Sequence, residues 1–240
     1  MKNNIYKNLY KKSKNNFYDL LKKNLKNEKK TFVITANPET YMTSYKDDEI
    51  LKILNNKNNL VVPDGIAIVK TAKYLGIDIK ERITGVEIAE FLLEEANKNK
   101  YKLYLFGAKE EVLNTLVEVI KNKYPNINIV GFKNGYVNDK DKVMNEIKKL
   151  NPDITLIALG IPAQEKLINK HIEKFTKGIF IGVGGTFDVL SGTKKRAPKL
   201  FIKLNLEWLY RIVTEPKRIK RFYKYNIKFL KLIKKEKNNS

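Results

Sequence analysis

An aspartate that closes a short apolar run is the first group in this chain able to do acid–base chemistry. Asn59-Leu-Val-Val-Pro-Asp-Gly65 reads as a buried strand that stops abruptly at Pro63, with a helix-like run from Ile66 to Leu75 behind it. Asp64 then stands at the carboxyl edge of a strand, where open parallel sheets bind their ligands. Two roles are open to it: N-cap of the following helix, for which Asp is a preferred residue, or a working carboxylate. Other polar groups fall at comparable places. Thr31-Phe-Val-Ile-Thr35 reads as a strand running into Ala36-Asn37-Pro38-Glu39, and Pro38 keeps Asn37 out of helical geometry, so Thr35 and Asn37 are presented at a strand end. Arg82 lies in the loop Lys80-Glu-Arg-Ile-Thr-Gly85, ahead of a helix that Thr84 caps; arginine there suits bidentate recognition of phosphate or carboxylate, or is simply solvated. Gly160-Ile-Pro-Ala-Gln-Glu165 puts Gln164 and Glu165 on a first helical turn, and Gly182-Val-Gly-Gly185 leads to Asp188 in the same way. Glycines before a helix let a phosphate approach free N–H groups at the positive end of the helix dipole. Neither glycine turn, nor Gly107-Ala-Lys109, completes a dinucleotide fingerprint or a Walker loop. The convergence of several polar side chains on one crevice carries the argument for a site.

The elements that must position these residues alternate. Strands are expected at 31–35, 59–62, 103–106, 127–130, 154–159 and 179–183. Helices are expected at 39–55, 66–75, 86–97, 109–123, 139–150 and 162–175. That rhythm specifies βαβ units, hence an α/β, Rossmann-like, mostly parallel sheet with helices on both faces. Residues 1–30 carry scattered apolar positions, read as a peripheral helix or a loosely ordered arm. After Gly192 the character changes. Two amphipathic helices, Leu200 to Val213 and Ile219 to Ile233, are separated by Pro216. The division expected is a core over 1–193, with residues 1–30 as its peripheral arm, and a basic helical appendage over 194–240.

Composition narrows the partners. The chain has 240 residues, 42% of them hydrophobic and 31% charged, and it has no cysteine, so disulfides and thiolate metal sites are excluded. No apolar run is long enough for a membrane span, and the N-terminus lacks the apolar centre of a signal peptide. With one histidine, His171, set late on a helix, and no paired aspartates near the crevice, a dedicated metal site is not expected; His171 reads as structural or solvated. The formal charge is +22, and residues 194–237 contain 16 Lys or Arg against 3 Glu. Lysine and asparagine are abundant throughout, so part of this excess is compositional. Its concentration at one end still implies a polyanion, either a nucleic acid or an anionic membrane surface. The aromatic-bearing basic helices could lie in a membrane interface or pack on the core with their lysines solvated.

Taken in order, Thr35-Ala-Asn-Pro-Glu39, Pro63-Asp-Gly65, Arg82-Ile-Thr-Gly85, Gly160-Ile-Pro-Ala-Gln-Glu165, Gly182-Val-Gly-Gly-Thr-Phe-Asp188, Arg196-Ala-Pro198, Leu206-Glu-Trp-Leu-Tyr-Arg211 and Glu215-Pro-Lys-Arg218 resemble the WecG/TagA/CpsF family of bacterial glycosyltransferases. The resemblance runs from about residue 31 to 222. One departure is Leu167, where the family commonly has Trp after Gln-Glu-Lys. The resemblance implies transfer of N-acetylmannosamine from its UDP derivative to an undecaprenyl-diphosphate-linked N-acetylglucosamine, in the linkage unit of wall teichoic acid. Relatives use UDP-N-acetylmannosaminuronic acid or other sugars. It further implies an inverting, metal-independent reaction with no cofactor, and Asp64 as general base. It places Thr35, Asn37, Arg82 and Gln164 around the reacting sugars, and Gly184, Gly185 and Asp188 at the nucleotide. Arg211, Arg218 and Arg221 reach the diphosphate from a C-terminal segment that closes over the site. The partners implied are a UDP-sugar donor, a lipid-linked acceptor and an anionic membrane surface, at the inner face of the cell membrane, with homo-oligomerisation left open. A basic nucleic-acid-binding protein is the rival reading, and no nucleic-acid motif is visible for it; a silent nucleotide-sugar sensor is the third.

Overall fold

The computed structural model describes residues 5–238. Two helices, α1 (Ile5–Asn8) and α2 (Lys14–Lys26), precede β1 (Thr31–Ala36). Then follow α3 (Pro38–Ser44), α4 (Asp48–Asn55), β2 (Asn59–Pro63), α5 (Ile66–Tyr74), α6 (Gly85–Asn99), β3 (Lys102–Gly107), α7 (Glu110–Lys123), β4 (Asn128–Lys133), α8 (Lys140–Leu150), β5 (Ile154–Ala158), α9 (Ala163–His171) and β6 (Ile179–Gly182). The chain ends with α10 (Thr186–Leu190), α11 (Lys199–Lys203), α12 (Glu207–Thr214), α13 (Arg218–Phe222), a π-helical turn (Tyr223–Ile227) and α14 (Lys228–Asn238). The sheet has six strands in the order β2-β1-β6-β5-β3-β4, and every pairing is parallel.

Both faces of the sheet are covered, which is why its strands read as nearly continuous apolar runs. Alternate residues serve opposite faces. On one side Phe32, Ile34, Tyr104, Phe106, Ile157 and Phe180 pack with side chains of α1, α4, α5, α8 and α9. On the other, Val33, Val62, Leu105, Leu156 and Ile181 meet α2, α6 and α7. Near the N-terminus Ile5, Tyr6, Phe17 and Leu21 of α1 and α2 are fully buried, and Leu9 bridges to Val61 of the edge strand.

Three expected helices are broken. The run expected over 39–55 is two helices, because Asp47 turns the chain and accepts from Glu49 N and Ile50 N as a new N-cap. The run 200–213 divides at Asn205, whose φ of +59° ends α11; asparagine is among the few residues that tolerate the left-handed region. The run 219–233 is interrupted by the π turn. Its last part, α14, docks on the core: Phe229 and Ile233 are buried, the Phe229 ring meets Tyr41 edge-on at 5.0 Å, and Tyr41 Oη donates to Glu236 Oε2 at 3.0 Å. Of the two readings of the C-terminal helices, packing on the core therefore holds for this face. The opposite sides leave Leu200, Leu204, Val213, Ile219, Tyr223 and Leu230 exposed. Among the described residues no helix is long and apolar enough to cross a membrane.

Candidate active site

Asp64 follows the last residue of β2, and its backbone N–H donates to Ala36 O at 2.8 Å, which extends the β1–β2 ladder to the strand end. It is not the cap of α5: Gly65 occupies that position, with no side-chain cap. The carboxylate instead turns to the amino end of α6, where Gly85 N lies 3.4 Å from its Oδ2. The loop before α6 is tied to the same strand, since Ile83 N donates to Pro63 O at 2.9 Å. Thr84 caps α6 by accepting from Glu87 N, and Glu87 reciprocates to Thr84 N, completing a capping box. That cap fixes where Gly85 stands, and so where the Asp64 carboxylate finds its donor.

Asp64 is half-buried, and charged and hydroxyl-bearing side chains surround it. Burial raises its pKa to about 6, with Glu207 adding to the rise, while the Gly85 N–H, Arg82 and Arg211 oppose it. Arg82 is not solvated. Its Nη2 pairs with Glu207 Oε2 at 2.6 Å, with only 14% and 15% of the two side chains exposed. Glu207 begins α12, and Arg211 lies one turn further on the same face. The C-terminal segment thus lies over the Asp64 edge, and brings one arginine and one glutamate to it.

Thr35 is buried at the end of β1. Its Cγ2 and the Thr186 hydroxyl lie 3.5 and 3.7 Å from where a side chain on Gly85 would begin, with Asp64 Oδ2 at 3.8 Å. Thr35, Asp64 and Gly85 are therefore brought together, and Thr186 joins them. Asn37 is near, its Cβ 3.8 Å from the corresponding point on Gly65, but its side-chain oxygen is occupied in capping α3, accepting from Glu39 N at 2.9 Å and Thr40 N at 3.1 Å.

Gln164 is buried rather than presented to solvent. Its Oε1 accepts from Gly160 N and Gly184 N, both at 3.1 Å, clipping the loop after β5 to the loop after β6. Two glycines make this approach workable. A Cβ on Gly182 would fall 2.5 Å from Gln164 Nε2, and Gly184 takes a φ of +50°. The amide nitrogen donates in turn to Glu165 Oε1 at 2.8 Å. Glu165 is also buried, its Oε2 has no hydrogen-bond partner among the described residues, and burial raises its pKa to about 7, with Glu39 contributing.

Asp188 lies beyond Gly185, with Oδ2 3.8 Å from the position of a Cβ there and Oδ1 3.9 Å from Lys194 Nζ. Lys194 also pairs with Glu215 at 3.3 Å. Arg218 pairs with Glu215 at 3.0 Å, and Arg221 with Glu39 of α3. Of the three C-terminal arginines expected at the site, only Arg211 faces Asp64. The other two sit on carboxylates. His171 is buried, with Nε2 2.6 Å from Asp141 Oδ1, as its structural reading expected. Two open concavities of about 560 and 470 Å³ lie elsewhere, and neither is lined by Asp64 or its neighbours.

Residue types alone did not point to Glu207, Glu39 or Thr186. The spacing of Glu207 and Arg211, four apart on a helix, was a usable signal, since it puts both on one face. Nothing local marked the rest.

The family model for the glycosyl transferase WecG/TagA/CpsF family matches residues 5–240. An N-acetylglucosaminyldiphosphoundecaprenol N-acetyl-beta-D-mannosaminyltransferase of Bacillus subtilis (strain 168) is 41% identical over 223 residues, covering 92% of this chain and 87% of that protein. Proteins of the same name from Bacillus spizizenii and Staphylococcus aureus (strain NCTC 8325) are 36% and 35% identical, over 82% and 85% of this chain and 76% and 80% of theirs.

Proposed function

The chain belongs to the WecG/TagA/CpsF glycosyltransferase family, and from that premise we propose that it transfers N-acetylmannosamine from UDP-N-acetylmannosamine to N-acetylglucosaminyl-diphospho-undecaprenol, with Asp64 as general base. The observation that carries the assignment of the base is the placement of Asp64: a half-buried carboxylate at the carboxyl edge of a parallel sheet, between a helix N-terminus and two arginines. In the reaction the acceptor hydroxyl oxygen bonds to the anomeric carbon from the face opposite the phosphate. The carbon–oxygen bond to UDP breaks, its electron pair leaves with UDP, and the hydroxyl proton passes to Asp64. A base with a pKa near 6 is still ionised at neutral pH and holds a proton more strongly than an ordinary aspartate.

Charge grows on the departing diphosphate, and preorganised cations are what stabilise it. Arg82 and Arg211 are beside the carboxylate; Arg218 and Arg221 reach the diphosphate by exchanging Glu215 and Glu39 for phosphate oxygens. Gly184, Gly185 and Asp188 receive the nucleotide, and Thr35, Asn37 and Gln164 frame the sugars, Gln164 by holding the two glycine loops together. Residues 194–240 act as one appendage that lifts to admit the donor and closes over it. Its exposed Leu200, Leu204, Val213, Ile219, Tyr223 and Leu230 stand among lysines, a combination suited to an anionic bilayer surface. The lipid-linked acceptor is met there, at the inner face of the membrane.

The test is release of UDP from UDP-N-acetylmannosamine by the purified chain, with a lipid-linked N-acetylglucosamine acceptor. Asp64→Asn should lower turnover by about 10²- to 10⁴-fold. Near-normal turnover in that variant would remove Asp64 from the mechanism, and preference for UDP-N-acetylmannosaminuronic acid would change the donor.

A further inference from the structure

Glu207 takes no part in the chemistry above, yet it makes the best-shielded charged contact between the C-terminal segment and the site. Its Oε2 lies 2.6 Å from Arg82 Nη2, and the partners are 125 residues apart in the chain. Other ion pairs of the segment are more open to water: the Arg221 side chain is 57% exposed and that of Lys194 is 43% exposed. Screening leaves such surface pairs little holding power, whereas a shielded charge-assisted hydrogen bond fixes geometry.

The pair uses one guanidinium nitrogen. No other side-chain hydrogen bond of Arg82 exists among the described residues, so its remaining N–H groups are available to a ligand. Asp64, Arg82, Glu207 and Arg211 together make two positive and two negative groups around one edge. An uncompensated arginine pair would repel itself and draw solvent. A glutamate that holds one arginine and leads the helix bearing the other prevents both.

We propose that Glu207 is a positioning residue: by gripping Arg82 through a single nitrogen it docks α12 over the Asp64 edge and sets where Arg82 and Arg211 stand for the donor's diphosphate. This rests on the roles given above to Asp64 and the arginines. Glu207→Gln keeps the shape and removes the charge. Backbone hydrogen exchange across residues 207–214 should then quicken by about tenfold or more, with protection of the sheet unchanged. kcat/KM at pH 7.5 should fall about ten- to a hundredfold, as for misplaced rather than missing groups. The loss should fall mainly on kcat, because Arg82 and Arg211 then stand away from where charge grows on the departing diphosphate. Unchanged exchange across 207–214, or a loss confined to KM, overturns the proposal. Its failure is distinct from that of the base assignment. An active Asp64→Asn enzyme removes the base but leaves the exchange result in Glu207→Gln to be read alone. Silent exchange beside an inactive Asp64→Asn removes only the grip of Glu207.

Discussion

Asp64 and Gly85 meet at 3.4 Å, carboxylate oxygen to backbone nitrogen, where a strand end faces a helix beginning. The contact is long for a charge-assisted bond, and the carboxylate is compensated only in part, which is why burial prevails and its pKa stands near 6. The acid limb of kcat/KM should therefore fall near pH 6, not near the ordinary aspartate value of about 3.9. A pH–rate profile measures this directly, and a limb near pH 4 would contradict the assignment.

The same residue has a stability signature of unusual sign. With the folded pKa raised above the unfolded value, the native state binds more protons between about pH 4 and 6, so stability is lost as pH rises through that window. At neutral pH the ionised Asp64 costs about 1–3 kcal/mol. Asp64→Asn should accordingly raise Tm at pH 7.5, with the gain shrinking as pH falls towards 4. Chemical denaturation across pH 4–8 tests it, and a gain independent of pH would refute the ionic origin.

Glu165 should behave in parallel but higher on the pH scale. Its carboxyl is buried, has one oxygen unpartnered among the described residues, and has its pKa raised to about 7. Stability should fall as pH rises from about 4.5 through 7, and Glu165→Gln should flatten that slope. Gln164→Leu does the opposite kind of damage. It strands the N–H groups of Gly160 and Gly184, at about 1–3 kcal/mol for each group left unsatisfied. Differential scanning calorimetry of the two variants at pH 5.5 and 8 separates these effects.

The alternation of strands and helices was legible because a sheet covered on both faces writes its strands as apolar runs and its helices as periodic ones. Thr84 was legible as a cap because Glu87 stands three residues on, the pattern of a capping box. The breaks at Asp47, Asn205 and the π turn were not. Each leaves the apolar periodicity on either side nearly intact, and only a backbone angle or a side-chain hydrogen bond distinguishes it. The site was legible as a set of strand-end residues, but its electrostatics were not. The pairing of Arg82 with Glu207 spans 125 residues, and Gln164 and Glu165, polar and early on a helix, look exposed until the glycines beside them let the loops close in. Asn37 shows the reverse limit. A polar residue at a strand end invites a functional reading, while its oxygen serves the helix that follows.

Docking of α14 gives the last prediction. Phe229 is fully buried and meets Tyr41, on the helix α3 whose Glu39 holds Arg221. Phe229→Ala removes a large ring from a packed contact, a change that typically costs about 3–5 kcal/mol in a core. Phe229 sits at the α14 side of the cluster on one face of the sheet, while the opposite face has a cluster without it, so the loss should fall first on the docking of α14. The sheet should keep its cooperative unfolding, while residues 194–238 become sensitive to trypsin, for which their 16 Lys and Arg offer many cleavage sites. Activity should fall along with that protection, because Arg211, Arg218 and Arg221 lose their fixed approach to the edge. Limited proteolysis scored beside UDP release checks both. A variant with an intact rate and a freely cleaved C-terminal segment would show that docking of α14 is not what delivers the arginines.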